Sequence, residues 1–494
     1  MIEQLPVINL LLLLLMALSI PLFGKRSFGR TLFLGFVVLL VVLAFSIAIL
    51  ISVDQNGNIH YVFGGHERFY GIELVVSPFS AFFTAFIALL MLPIYLYSTS
   101  DSTEGIEERE YGRYYVLLFI LLFSMFGILY TNDLFNTYVF IEILSITTCS
   151  IISIKRKKET YTSAFRYVML NEIGSLSYLF GVALLYMITG HTNMTLVGEE
   201  VASVWQTYTP NVIIAIAFMV VGLGIKAAIF PFHIWLPDAH ASAPSTSSAI
   251  LSGIVVKVYV LVLIRVLFVV FGLEILRALN ISLILMVLAS VGMIMGSVFA
   301  IAQKDIKRML GYSSVAQIGY IVMGIGLLSS AGLIAALFHI VSHAIMKAAL
   351  FLSVGIAIFY KHDRSVKGFE GLAYHMPVSL TVFSLAAFGM IGLPLTSGFI
   401  SKLYLGLAVL DADRIIYLVI IVISGLLNVI YYFPIIIAAF LKDNPEKKRV
   451  TTIEHVPKLM LLPIIVLGLS ILYLGVYPET ILYWIERAVD SIRQ

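Results

Sequence analysis

The sequence predicts an all-α integral membrane protein of about fourteen transmembrane helices. Spans 4–8 and 9–13 read as two inverted five-helix repeats, with helices 7 and 12 broken. Three observations carry this. Of 494 residues, 60% are hydrophobic and 12% charged, against roughly 25% charged in a soluble domain. Apolar runs of bilayer length, about 20 residues, recur along the whole chain. Two of those runs carry Pro and Gly interruptions at corresponding places.

The composition excludes a soluble enzyme, a nucleic-acid binder and a disordered chain. The net charge of +3 says nothing about partners, because the charges sort by side of the membrane. The single cysteine, Cys149, lies in an apolar run. A disulfide framework, a Cys-ligated zinc site and an iron–sulfur cluster are therefore not expected.

The spans fall at roughly 4–23, 30–53, 72–98, 112–130, 132–154, 163–187, 211–236, 243–269, 275–302, 308–328, 330–360, 377–410, 412–441 and 457–477. Continuous runs of this length exclude a β-barrel, whose strands are short and alternating. The first run has the length of a secretion signal, but Glu3 precedes it and Lys25 and Arg26 follow it. That charge order is reversed for a signal, so the run reads as a retained span. The chain divides into residues 1–111 with spans 1–3, two half-channels at 112–270 and 271–442, and 443–494 with span 14 and a short amphipathic tail.

Basic residues in short loops orient the spans. Of 31 Lys and Arg, five (Arg68, Arg277, Arg414, Arg487, Arg493) fall on one side. Twenty fall on the other, including Lys25, Arg26, Lys155, Arg156, Lys157, Lys447, Lys448 and Arg449. Loop 1–2 is then cytoplasmic and both termini face outward, in a cell membrane. The remaining six, Arg166, Lys226, Lys257, Arg265, Lys347 and Lys402, lie inside spans. Glu142, Glu172, His339 and His343 are also intramembrane, and Asp238 borders a break. A charge at mid-bilayer costs about 2.5–3.5 kcal/mol on insertion scales. A chain that keeps this many points to an ion pathway.

Span 7 contains Pro231 and Pro237; span 12 contains Gly392, Pro394 and Gly398. Proline removes a backbone donor, and freed carbonyls in lipid are tolerated only beside protein or a wet cavity. The two breaks are five spans apart, an odd offset that inverts orientation. Paired interruptions of this kind mark transport sites.

Glu142 lies about ten residues into span 5. It is either a packing carboxylate bonded to hydroxyls or half of a proton site with a lysine partner. Burial raises a carboxylate's pKa and a neighbouring ammonium lowers it, so such a pair is tunable. Lys226, just over one turn before Pro231, sits beside a break rather than at an interface where lysines snorkel. Lys257 is mid-span, whereas Arg265 and Arg166 read as anchors near span ends. His339, His343 and Lys347 are spaced i, i+4, i+8 on one helix face, which suits proton hopping. The HxxxH spacing alone also suits a metal, but no carboxylate or cysteine accompanies it, and no metal or cofactor is expected. Lys402 follows the span 12 break. Glu172 lies deeper in span 6 than Arg166. His240, beside Asp238, either carries protons between Lys226 and Lys257 or caps the broken helix.

At these residues the chain resembles a family. The stretches GIKAAIFPFHIWLPDAHASAPSTSSAILSGIVVK, HIVSHAIMKAALFLSVG, GLPLTSGFISKLYL and DIKRMLGYSSVAQIGY resemble the antiporter-like proteins of Mrp-type Na+/H+ antiporters, respiratory complex I and membrane-bound hydrogenases. The resemblance covers nearly the whole chain and looks most like the D-type Mrp subunit or its hydrogenase-type counterpart. It implies the fourteen-helix fold, with Glu142 and Lys226 as paired residues and Lys257 as the connecting lysine. It implies that the span 11 histidines link the halves and that Lys402 is the terminal lysine. The implied partners are other membrane subunits and the lipid bilayer, and the implied cargo is H+, with Na+ the other candidate. Any redox chemistry would belong to partner subunits. A free-standing secondary transporter for a small solute is the competing reading; it would call for aromatic or amide-lined pockets at the breaks, where lysines stand instead.

Overall fold

The computed structural model describes residues 2–23, 28–63, 71–100, 105–442 and 456–493. Lys25, Arg26, Arg68, Lys447, Lys448 and Arg449 lie outside the described residues. Among the described residues, thirteen helices are long and apolar enough to cross a membrane. Pro377–Ile391 and Ser397–Asp411 form the two halves of the remaining, interrupted span. The protein is a multi-pass helical membrane protein.

Spans 1–6 are Leu5–Phe23, Phe28–Asn56, Pro78–Ser100, Tyr111–Tyr130, Leu134–Ser153 and Lys158–Thr189. Span 5 starts where the Asp133 side chain accepts from Asn136 N at 2.6 Å, which satisfies a donor that the first helical turn leaves free. Span 6 stops at Gly190, whose φ of 74° suits glycine. Span 7 ends early as a helix, Thr209–Lys226, and resumes at Trp235–Ser242 beyond Pro231. Span 8 is continuous over Ser245–Ala278, with π-helical stretches at Leu251–Val255 and Val266–Phe271.

Spans 9–11 are Ile281–Ile301, Ile306–Gly326 and Ser330–Lys361. Spans 13 and 14 are Ile415–Leu441 and Lys458–Val476. Spans 8, 10 and 11 are sheathed almost completely by the others, while the apolar windows of spans 2 and 13 are mostly uncovered. This is the burial a bundle needs when its polar groups gather on central helices and its periphery faces lipid.

Two elements were not legible in the sequence. An antiparallel hairpin, β1 (Ile59–Val62) and β2 (Glu73–Val76), precedes span 3 with Ile59 opposite Val76. A short helix, Met194–Val204, lies between spans 6 and 7. The C-terminal helix Glu479–Arg493 buries Ile485, Ala488, Val489 and Ile492. It is tied down by Arg487 Nε to Asp54 Oδ1 at 2.9 Å and by Phe79 N donating to Ser491 Oγ at 3.3 Å.

The break in span 12 has a steric basis. Gly392 ends Pro377–Ile391 at φ 95°, a region costly to a residue with a Cβ. A Cβ there would also meet Lys402 Cδ at 2.9 Å. Thr396 then caps the second half through Phe399 N, and a Cβ on Gly398 would strike the Gly389 carbonyl oxygen.

Candidate ion pathway

The first polar cluster joins spans 5, 7 and 8. Lys226 is the last residue of the first half of span 7 and is fully buried. Its ammonium donates to Ser145 Oγ at 2.6 Å and lies 3.9 Å from Glu142 Oε1. It also faces the Tyr259 ring at 5.6 Å, and the Tyr259 hydroxyl is 3.4 Å from Ser145 Oγ. Glu142 and Ser145 meet Lys226 from one face of span 5 because they are three residues apart on a helix. Glu172 on span 6 lies close enough to interact with both Glu142 and Lys226.

The second cluster links span 8 to spans 10 and 11. Lys257, on the first turn after the π-helical stretch, donates to the Ser252 carbonyl. The Ser252 hydroxyl meets Ser314 Oγ at 2.8 Å. Ser314 Oγ donates to the Leu310 carbonyl at 3.0 Å. The Lys347 ammonium donates to that same carbonyl at 2.6 Å, and also to Ser313 Oγ. Ser252, Ser314 and the Leu310 carbonyl thus connect Lys257 to Lys347. Neither has a carboxylate within ion-pair distance among the described residues; both ammonium groups donate to backbone carbonyls, and Lys347 also to a hydroxyl.

The third cluster runs down span 11 to the span 12 break. Lys347, His343 and His339 are all buried. The two imidazoles stack at 5.9 Å and 16°. His339 Nδ1 is 2.8 Å from Ser401 Oγ, one residue from Lys402. Lys402 donates to the Met390 carbonyl at 2.6 Å and the Ile391 carbonyl at 3.0 Å. These are among the last carbonyls of the first half-helix, which lose their helical partners at a break. Tyr320 lies beneath the ammonium, 4.6 Å to its ring centre, and its ring is 5.5 Å from that of His339.

The other candidates lie off this line. Asp238 stands at the end of the bundle that carries Lys304, Lys361 and Arg364. Arg166 binds it at 2.7 Å, and Arg308 binds its other oxygen. His240 is fully buried against Phe351, ring centres 4.7 Å apart, while its carbonyl accepts from Ser248. Arg265 is buried and donates to the carbonyls of Ile128, Leu129 and Thr131 at the end of span 4. It anchors protein to protein rather than to headgroups. The residues that sequence reasoning missed are hydroxyls: Ser145, Ser252, Tyr259, Ser313, Ser314, Tyr320 and Ser401. Ser145, Ser252, Tyr259 and Ser401 stood within a turn or two of a buried or half-buried charge in the sequence, whereas Tyr320 had no such signal.

Polytopic helical bundles with a line of buried lysines and histidines between two broken helices form a recognisable class, the antiporter-like membrane proteins. The chain belongs to the transmembrane family described as NADH:quinone oxidoreductase/Mrp antiporter, matched over residues 131–428. The N-type subunit of a Desulforudis audaxviator NADH-quinone oxidoreductase is 35% identical, covering 98% of this chain and 97% of that one. The D-type subunit of an Alkalihalophilus pseudofirmus Na(+)/H(+) antiporter is 31% identical over 95% of this chain and 93% of that one. Among solved structures, a chain of the archaeal membrane-bound sulfane sulfur reductase aligns with TM-score 0.90 and 25% identity, covering 99% of this chain and 98% of that one. A chain of the Mrp complex from a Dietzia species aligns with TM-score 0.88 and 24% identity, over 100% and 98%.

Proposed function

We propose that this chain is the ion-translocating, antiporter-like subunit of a multisubunit membrane complex, either an Mrp-type antiporter or a related redox-driven pump. It carries protons along Glu142, Lys226, Lys257, Lys347, His343, His339 and Lys402. The observation that carries the reading is a series of buried and half-buried titratable groups in which Glu142 faces Lys226, Ser252, Ser314 and the Leu310 carbonyl connect Lys257 to Lys347, and a ring stack joins His343 to His339, which meets Ser401, the residue before Lys402. Family membership supports the class of function, and the relatives named above are themselves subunits of such complexes.

In this reading each lysine takes a proton from one neighbour and yields it to the next. An ammonium in a hydroxyl and carbonyl cradle gains little from staying charged once a second charge arrives beside it. Lys257 and Lys347 are such neighbours, so loading one favours unloading the other. Residues 112–270 and 271–442 act as half-channels of opposite orientation, opened by hydration at the breaks that follow Lys226 and precede Lys402. H+ is the primary cargo and Na+ the other candidate.

Transport by the assembled complex in sealed vesicles tests this. Glu142→Gln and Lys226→Ala should each abolish it with assembly near normal, and the double variant should be little worse than either single, because relay members act as a unit. Lost assembly with intact specific transport would make the pair structural. The membrane is read as the cell membrane with both termini outside. An accessibility tag near Lys157 should then report the cytoplasm and one near Gly198 the outside.

A further inference from the structure

We propose that the groove at the basic end of spans 1, 2, 4, 5 and 6 binds one mono-anionic phospholipid from the bilayer. A cavity of about 1020 Å³ lies there, and none of its lining residues belongs to the polar line. Its walls combine two chemistries. Ile20, Pro21, Phe28, Val116, Leu117 and Ile154 supply an apolar channel. Arg109, Arg113 and Arg156 supply guanidinium groups at its basic end, with Glu108 and Glu110 beside them.

The charged end is pre-organised. Glu110 is 2% exposed, a carboxylate at the floor of the groove. It accepts from Arg113 Nη1 at 2.9 and 3.0 Å, and from Arg156 Nη2 at 2.9 Å. Arg156 reaches it from a φ of 52°, a conformation that a non-glycine residue keeps only when its surroundings hold it. Each guanidinium has five donors, so both retain donors for a second acceptor after binding Glu110. Arg109 is 67% exposed; it pairs with Glu107 at 2.6 Å and lies 3.8 Å from Glu110. At Glu110 itself two guanidiniums, Arg113 and Arg156, meet one carboxylate, a local excess of one positive charge that one phosphodiester matches. Lys157 continues the same loop and Lys158 begins span 6.

A lipid rather than a soluble phosphate fits because the apolar channel continues to the outer face of the bundle. Leu22, next to Pro21, is 73% exposed, and Ile146, one turn before Ser150 in the lining, is 60% exposed. A headgroup among guanidiniums at the span ends with an acyl chain along that channel satisfies both chemistries. Basic pockets between helices on the basic side are known lipid-headgroup sites in general.

Native mass spectrometry of the purified complex, delipidated and titrated with phosphatidylglycerol, phosphatidylcholine or inorganic phosphate, tests this. One phosphatidylglycerol per chain should bind, weakened by salt, with phosphatidylcholine markedly weaker and inorganic phosphate unbound. Arg113→Gln should weaken binding about fivefold, since one such charge is worth about 1 kcal/mol near an anionic surface. Because this change also strips a partner from Glu110, Val116→Trp serves as the second variant: it fills the channel and leaves every charge in place, and it should also lose the lipid. Equal binding of phosphatidylcholine, or full retention in Val116→Trp, would overturn the proposal. So would a photo-crosslinker at position 116 that captures another subunit, or residues 24–27 of this chain, in place of lipid.

Discussion

Ser145→Ala isolates one link of the proposed relay without touching a charge. The hydroxyl accepts from Lys226 at 2.6 Å and lies 3.4 Å from the Tyr259 hydroxyl. The nearest carboxylate oxygen is 3.9 Å from the ammonium, beyond hydrogen-bond length. Alanine therefore removes the one short side-chain acceptor of a fully buried ammonium. A hydrogen bond to a charged group is worth about 1.5–3 kcal/mol, and each 1.4 kcal/mol is a factor of ten. If every transport cycle passes through charged Lys226, the rate should fall about ten- to a hundredfold. Removing one oxygen from a small side chain leaves no large void, so assembly should hold. Ser145→Thr keeps the hydroxyl and should retain most of the activity. The assay is proton uptake by sealed vesicles, normalised to assembled complex. In a Lys226→Ala background the serine change should add almost nothing. Wild-type transport by Ser145→Ala, or an undiminished effect in the Lys226→Ala background, would refute the link.

Three further outcomes are expected. Lys402→Arg should fail as completely as Lys402→Ala in the same vesicle assay, because a guanidinium stays protonated and is too large for the cradle of Met390 and Ile391 carbonyls; wild-type rates from both would show that no proton passes through this side chain. Gly392→Ala should lower the stability of the purified complex by about 1–3 kcal/mol for a Cβ in a strained conformation, and displace Lys402, seen as a lowered unfolding temperature together with slowed transport. Glu370, outside the spans, is held below the ordinary carboxylate range by its hydrogen bond to Lys442 and then by that residue's charge. A carboxyl lowered in the folded state stabilises above its unfolded pKa and loses that contribution as pH falls through the folded one. The unfolding temperature of Glu370→Gln should thus lie slightly below wild type at neutral pH and converge with it in acid; a constant gap would contradict the assignment.

How much could be read from the chain depends on how far apart the interacting groups lie. The number of spans, the two interruptions and the isolation of Lys226, Lys257, Lys347 and Lys402 in apolar runs follow from local composition, because a bilayer imposes a minimum apolar length and penalises each charge one at a time. The His339, His343 and Lys347 stripe was also legible, since helix periodicity alone puts positions four apart on one face. Beyond that, sequence distance hides the chemistry. Glu142 and Lys226 are 84 residues apart, and Ser252 and Ser314 are 62 apart. Only the packing of spans 5, 7, 8 and 10 brings them together. Ser145, Ser401 and Tyr320 are ordinary helix residues by composition; they become partners of buried ions because neighbouring helices deliver a lysine or histidine to them. The cradle of Lys402 could not be inferred from residue identity at all. Its acceptors are backbone carbonyls, chemically the same at every residue, and they are free to bind a cation only where the tertiary structure ends one helix and begins another.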